Sequence, residues 1–250
     1  MNPSVKLPSI PTWKLKHSKE LLIEAAKDPA TFNRGYRMNA IEPGALKFPS
    51  FDSCIQHGLT AAELIARRMP TYIGVDLAGK KRRGNALVAV GLDVVSHRRA
   101  LLEPRFGAWR SPETAKHLGA MVDRHATQWV QVENNAYQQS LIDWVKEANY
   151  PYWPKIEAFT TGSNKADPDY GLPVLEVEFH NGAWIIPGAE FEGHPPDCEC
   201  DWCRIVAEFR NYPLWDSFDG IMATWFARDA LAKWAPKRGG APMKRNFTRR

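Results

Sequence analysis

The chain has 250 residues, 44% of them hydrophobic, and a net charge of +5, enough for one sizeable core or two small ones. It has no run of about eighteen apolar residues and its N-terminus, MNPSVKLPSIPTW, has no apolar leader core, so a membrane span and a secreted protein are both excluded as expectations and an intracellular setting is expected. Three of the four cysteines fall between 198 and 203, which is not the layout of an extracellular disulfide framework.

The elements follow in chain order. Residues 1–69 read as a lead: Pro-rich at first, then a short helix at SKELLIEAAKD with Ser18 as a candidate cap, an irregular aromatic stretch, and a second short helix at AAELIARRM ended by Pro70. A main domain is expected over 70–235. Its first strand, 71–78, alternates Ile73, Val75 and Leu77 with Tyr72, Gly74 and Asp76. KKRRGN reads as a turn, NALVAVGLD as an antiparallel return, and VVSHRRALLEPRF as a third strand. SPETAKHLGAMVDRHA is a helix with Ser111 at its cap and Pro112 at its first position. TQWVQVE is a fourth strand, and a helix opened by Asn134 or Asn135 follows. YWPKIEAF is a fifth strand weakened by Pro154, and VLEVEF fits strand or helix. GAWIIP is a short strand, and two helices close the domain. The pattern predicts an α/β fold: a mixed sheet of five or more strands, three antiparallel and then parallel ones, with helices on both faces.

Charge is unevenly placed. The last fifteen residues, 236–250, carry six Lys/Arg and no acid; without them the net charge would be near −1. They read as a basic tail, expected to be flexible. A second basic cluster, Lys80, Lys81, Arg82 and Arg83, directly follows the first strand. Two such clusters near acidic residues favour a polyanionic partner such as nucleic acid.

Three acids stand where chemistry collects. Asp76 is near the end of the first strand and Glu133 at the end of the fourth, the strand ends at which α/β sheets bind ligands. Asp219 lies in the last helix, with Asp216 three residues earlier and the small Gly220 and Ala223 nearby to let that helix approach the sheet. Converging carboxylates repel and call for protons or hard cations such as Mg²⁺ or Mn²⁺. Two such ions can hold and polarise a phosphodiester. Each acid taken singly also fits a solvated or structural role.

The segments around these acids, YIGVDLAG…GNALVAVG, VQVENNAYQQSLIDWV, TTGSNKADPDYGLPVLEVEFHNGAWIIP and WCRIVAEFRNYPLWDSFDGIMATWFARDA, resemble in the same order the C-terminal nuclease domain of phage terminase large subunits, an RNase H-like fold. The resemblance covers about 71–235. PTWKLKHSKELLIEAAKDPATFNRGYRM resembles the segment joining the packaging ATPase to that domain, yet the chain has no G-x-x-x-x-G-K-[ST] phosphate loop. The resemblance implies an endonuclease that cuts concatemeric double-stranded DNA during viral genome packaging, in the host cytoplasm. Its partners would be a packaging ATPase, the portal and the small terminase subunit. Asp76, Glu133 and Asp219 would ligate two Mg²⁺ or Mn²⁺ ions. Asp216 would assist a second ion, and serves equally well as a helix cap. Lys165 would meet a phosphate, and Lys80 to Arg83 would hold the duplex backbone. A Holliday-junction resolvase and a non-catalytic DNA- or motor-binding subunit remain alternatives.

HPPDCECDWC places His194, Cys198, Cys200 and Cys203 within ten residues. One imidazole and three thiolates can close around a structural Zn²⁺; reduced thiols at the start of a helix are the alternative. The ten tryptophans read as core rather than as base-stacking platforms.

Overall fold

The first strand of the main domain organises everything around it. In the computed structural model, which describes residues 46–77, 84–133, 139–159, 171–214 and 218–235, strand β2 (Thr71–Asp76) is buried along its whole length. It lies inside a seven-stranded sheet of order β1-β7-β4-β3-β2-β5-β6. The other strands are β1 (Ile55–Gln56), β3 (Asn85–Leu92), β4 (Arg99–Gly107), β5 (Trp129–Glu133), β6 (Ile156–Phe159) and β7 (Trp184–Pro187). β3 runs antiparallel to both of its neighbours, β2 and β4, and β5 and β6 continue the sheet parallel to β2. This is the RNase H-like arrangement, with β7 and β1 added in parallel beyond β4.

The helices are α1 (Ala61–Ala66), α2 (Ser111–Arg124), α3 (Gln139–Glu147), α4 (Pro173–His180), α5 (Asp201–Asn211) and α6 (Asp219–Trp234). Alternation along the strands sorts two cores. Ile73, Val75 and Leu77 of the β2 region, with Leu87 and Ala89 of β3, pack with Leu118 and Met121 of α2 and Leu141 and Val145 of α3. Tyr72, Ala86, Val88 and Val90 face the other way, toward Phe209 of α5 and Ile221, Ala223 and Phe226 of α6. Asp76 shares the side of Tyr72 and Gly74, so it points to the α6 face.

That face is closed by direct backbone contact. A Cβ on Gly74 would fall inside the backbone of Ala223 and lie 2.5 Å from the backbone nitrogen of Ala227. Glycine is therefore required there by space, not by a turn.

Local signals set several boundaries away from those expected. The compact unit carrying the sheet begins at Phe48. Residues 48–69, grouped by composition with the lead, supply β1 and α1, and Phe48, Phe51 and Leu64 enter the cores. α1 begins at a capping box, in which Glu63 N donates to Thr60 Oγ1 and Thr60 N donates to Glu63 Oε2. In α2, Ser111 is the first helical residue rather than the cap; extended Arg110 holds that place, and its N–H donates to Glu113 Oε2 at 3.2 Å. The third strand starts only at Arg99, because the Asp93 carboxylate accepts from the N–H groups of Val95 and Ser96 and folds 93–98 into a turn. Pro154 sits in a single 3₁₀ turn, Trp153–Lys155, so the strand expected as the fifth is confined to Ile156–Phe159, β6. The ambiguous VLEVEF is helix α4, with Pro173 in its first turn. The helix start at Asn134 or Asn135 and the tail 236–250 lie outside the described residues.

An ion cluster around buried Glu103 and His125 ties β4 to the end of α2. Glu103, 8% exposed, accepts from Arg105 Nε at 2.8 Å, pairs with Arg124, and lies 2.7 Å from His125 Nε2. Burial pushes its carboxyl up, but the bonds from His125, Arg124 and Arg105 outweigh it and hold the group at about 2. A depressed carboxyl stabilises the fold above its ordinary value near 4.5, and that contribution is lost as pH falls toward 2.

Two outcomes are expected. Gly74→Ala should cost about 3 kcal/mol or more in urea unfolding, because helix backbone rather than a side chain must yield. In unfolding measured from pH 6 down to 2, Glu103→Gln should show a shallower loss of stability below about pH 4.5 than the unaltered chain.

Candidate active site

Asp76 ends β2 and Glu133 ends β5, and the two strands are parallel neighbours whose last registered pair is Val75 with Val132. Asp76 and Glu133 are the next residues along, so they stand side by side at a strand spacing of about 4.8 Å. On the other side of Asp76 the same row continues through Ala86 of β3 and Phe106 of β4. Glu133 shares the side of Gln131, whose Nε2 donates to Asp229 of α6 at 3.0 Å, so both acids face α6.

The course of α6 brings the third acid to them. Its C-terminal end lies over the beginning of the strands, where Trp234 packs on Trp129 at 4.6 Å between ring centroids. Its middle rests on Gly74. Its start lies over the Asp76 row: a Cβ on Gly220 would lie 2.6 Å from Phe106 Cζ. From Ala223 back to Asp219 the helix gains about 6 Å, much as β2 does from Gly74 to Asp76. Asp219 is thus set level with Asp76 and Glu133, on the same face and at the same end of the sheet. The three acids are buried, at 1%, 6% and 3% exposure for Asp76, Glu133 and Asp219.

A fourth carboxylate supports this corner. Glu208 of α5, fully buried, accepts from the N–H of Gly220 at 2.7 Å and of Ile221 at 3.3 Å. Phe218 at the helix start offers no side-chain cap, so Glu208 caps α6 from the neighbouring helix, a favourable place for negative charge. Arg204, one turn earlier on α5, reaches Glu208 Oε1 at 3.5 Å and Asp219 Oδ2 at 3.9 Å, and its guanidinium lies 4.2 Å from the Phe106 ring centroid. Burial pushes the Glu208 carboxyl up to about 7, with the Asp219 charge adding to it, against the pull of Arg204 and the two N–H donors. Sequence reading passed over Glu208. In sequence the Arg204/Glu208 pair at i,i+4 looks like an ordinary surface pair.

The three carboxylates offer hard oxygen donors, of the kind that suits Mg²⁺ or Mn²⁺. Asp216, Lys165 and the cluster Lys80, Lys81, Arg82 and Arg83 lie outside the described residues. His194, Cys198, Cys200 and Cys203 gather at the N-terminal end of α5. Among the described residues no helix is long and apolar enough to cross a membrane.

Fold and acids together define a domain of RNase H-like topology with three buried acids at one end of its sheet. No protein-family model matches the chain, and no curated protein matches it in sequence. Among solved structures it is similar to the nuclease domain of a Thermus phage large terminase, at 14% identity over 74% of this chain and 95% of that one, TM-score 0.49. It is similar to the large terminase nuclease domain of bacteriophage SPP1 with bound Mn, at 19% identity over 69% and 93%, TM-score 0.48. It is also similar to the fowlpox virus Holliday junction resolvase, at 12% identity over 65% and 98%, TM-score 0.40. These are distant likenesses, and the functional reading rests on the carboxylates.

Glu208→Ala should cost about 0.5–2 kcal/mol in urea unfolding through loss of the cap. It should also weaken Mn²⁺ binding measured by calorimetry about 10-fold, the scale on which groups behind metal ligands act, and Glu208→Gln should recover part of both.

Proposed function

We propose that the chain is a divalent-metal-dependent endonuclease that hydrolyses phosphodiester bonds in double-stranded DNA, and that it serves viral genome packaging as the nuclease part of a terminase. The observation that carries the nuclease reading is the placing of Asp76, Glu133 and Asp219 on one face and at one end of the sheet, all buried. Three like charges so placed call for a cation, and carboxylate oxygens select a hard one. The packaging role rests on the four segments that resemble terminase nuclease domains in order, and on the lead that resembles the join to the ATPase.

Asp76, Glu133 and Asp219 would hold two Mg²⁺ or Mn²⁺ ions. Bound there, such ions supply an activated water and neutralise charge on the phosphate. The work of the chain is to keep the oxygens in place. β2 and β5 fix two of the acids through paired backbone, and the contact of α6 with Gly74, together with the Glu208 cap, fixes the third. Arg204, stacked on Phe106, balances part of the charge next to Asp219 without joining the donor set. Lys80 to Arg83 and Lys165 would hold the DNA by its phosphates, which makes cutting depend little on base sequence. The packaging ATPase, portal and small terminase subunit are the partners this role implies.

The test is nicking of supercoiled plasmid with Mn²⁺ or Mg²⁺, compared with a four-way junction. The unaltered chain should nick plasmid and show no preference for the junction. Asp76→Asn and Asp219→Asn should each lose about 100-fold or more, beyond the loss typical of groups behind the metal ligands. Full activity in both variants would remove the acids from the reaction, and a strong junction preference would replace packaging by resolution.

A further inference from the structure

The nuclease reading leaves one cluster unused. His194, Cys198, Cys200 and Cys203 each offer one ligand atom, and the four atoms lie within 4.8 Å of one another. His194 Nδ1 stands 3.5 Å from Cys198 Sγ, 3.5 Å from Cys200 Sγ and 3.3 Å from Cys203 Sγ. A tetrahedral zinc ion, with bonds of about 2.3 Å to sulfur and about 2.0 Å to nitrogen, sets its nitrogen–sulfur edges near ~3.5 Å. One nitrogen equidistant from three sulfurs is the arrangement of such a site. A disulfide would instead join two sulfurs and leave the third and the imidazole without a reason to gather. All four cysteines are free thiols, and the fourth, Cys54, is buried elsewhere in the core.

The chain is shaped to present these ligands. Turns closed by His194 N to Phe191 O and by Cys198 N to Pro195 O fold the loop that leaves β7 and the 3₁₀ turn Gly188–Glu190. Cys200 is then the N-cap of α5, and its sulfur accepts from Cys203 N at 3.4 Å.

We propose that His194, Cys198, Cys200 and Cys203 form a closed, structural Zn²⁺ site that pins the loop after β7 to the first turn of α5. The site has four protein ligands and no open position, so its part is architectural. What it fixes is specific. The turn it anchors carries Asp201, whose Oδ1 accepts from Phe106 N at 3.1 Å, and Arg204 directly follows Cys203. One turn further along α5 stands Glu208, the cap of α6. The site thus steadies the helix that braces Asp219.

The test measures the metal itself. Full-length chain purified without chelator should carry about one zinc and negligible iron per molecule by plasma mass spectrometry. Cobalt exchanged into it should give the intense visible bands of a tetrahedral thiolate site. Cys200→Ser and Cys203→Ser should each lose most of the zinc and lower Tm by about 10 °C or more. Cys54→Ala should keep the full zinc content whatever its stability. Should the serine variants fail to fold, zinc content and the cobalt spectrum of the unaltered chain decide. A chain without zinc that takes up no cobalt, one that carries iron instead, or one whose mass shows a disulfide among the three cysteines would overturn the proposal. Because no readout involves DNA, failure here is separable from failure of the nuclease reading.

Discussion

The contact between the last helix and the middle of the central strand governs the molecule. Gly74 has no side chain, and the backbone of α6 at Ala223 and Ala227 occupies the space a methyl group would need. Everything at the acidic end depends on that closeness. A helix standing off by the thickness of one larger side chain would carry Asp219 away from Asp76 and Glu133. Neither strand could follow, since β2 is paired on both edges, to β3 and to β5. Rigidity of this kind is what a metal site needs from its scaffold, because ligands must be held at the right separation before the ion arrives.

Closeness also creates a cost. Three acids buried at one corner, with Glu208 beside them, would disfavour folding if all were ionised without compensation. The chain meets this in three ways. Glu208 turns its charge toward two backbone N–H groups at the start of α6, where the helix favours it. Arg204 is set between Glu208 and Asp219 and kept flat by the Phe106 ring. Burial also keeps the Glu208 carboxyl up near 7, so that its proton is partly retained at neutral pH. The cluster ahead of α5 belongs to the same economy of position, since it holds the helix on which Arg204 and Glu208 are mounted.

Much of this was legible in the sequence. The period of two in TYIGVD marks β2, the apolar run NALVAV marks β3, and an acid at the end of an apolar strand is conspicuous by its chemistry. HPPDCECDWC announces itself by ligand type. Other features carry no local signal. Gly74 reads as an ordinary strand glycine until the helix above it is known. Glu208 looks like one member of a surface i,i+4 pair, and its burial follows only from packing. The helix α4 was ambiguous because VLEVEF is short enough for both periods, and Pro173 decides it only when taken as a first-turn residue. The parallel pair β1–β7 joins residues about 130 positions apart through two ladder pairs, a contact fixed by tertiary packing and not by neighbours in the chain.

The central claim concerns where three carboxylates stand with a cation among them. Crystals soaked in Mn²⁺ and measured at the manganese absorption edge address it directly. The account requires anomalous density within about 2.2 Å of carboxylate oxygens from Asp76, Glu133 and Asp219, with Glu208 bonded to the start of α6 and outside the coordination sphere. Manganese bound elsewhere, or a site lacking Asp219, would contradict it.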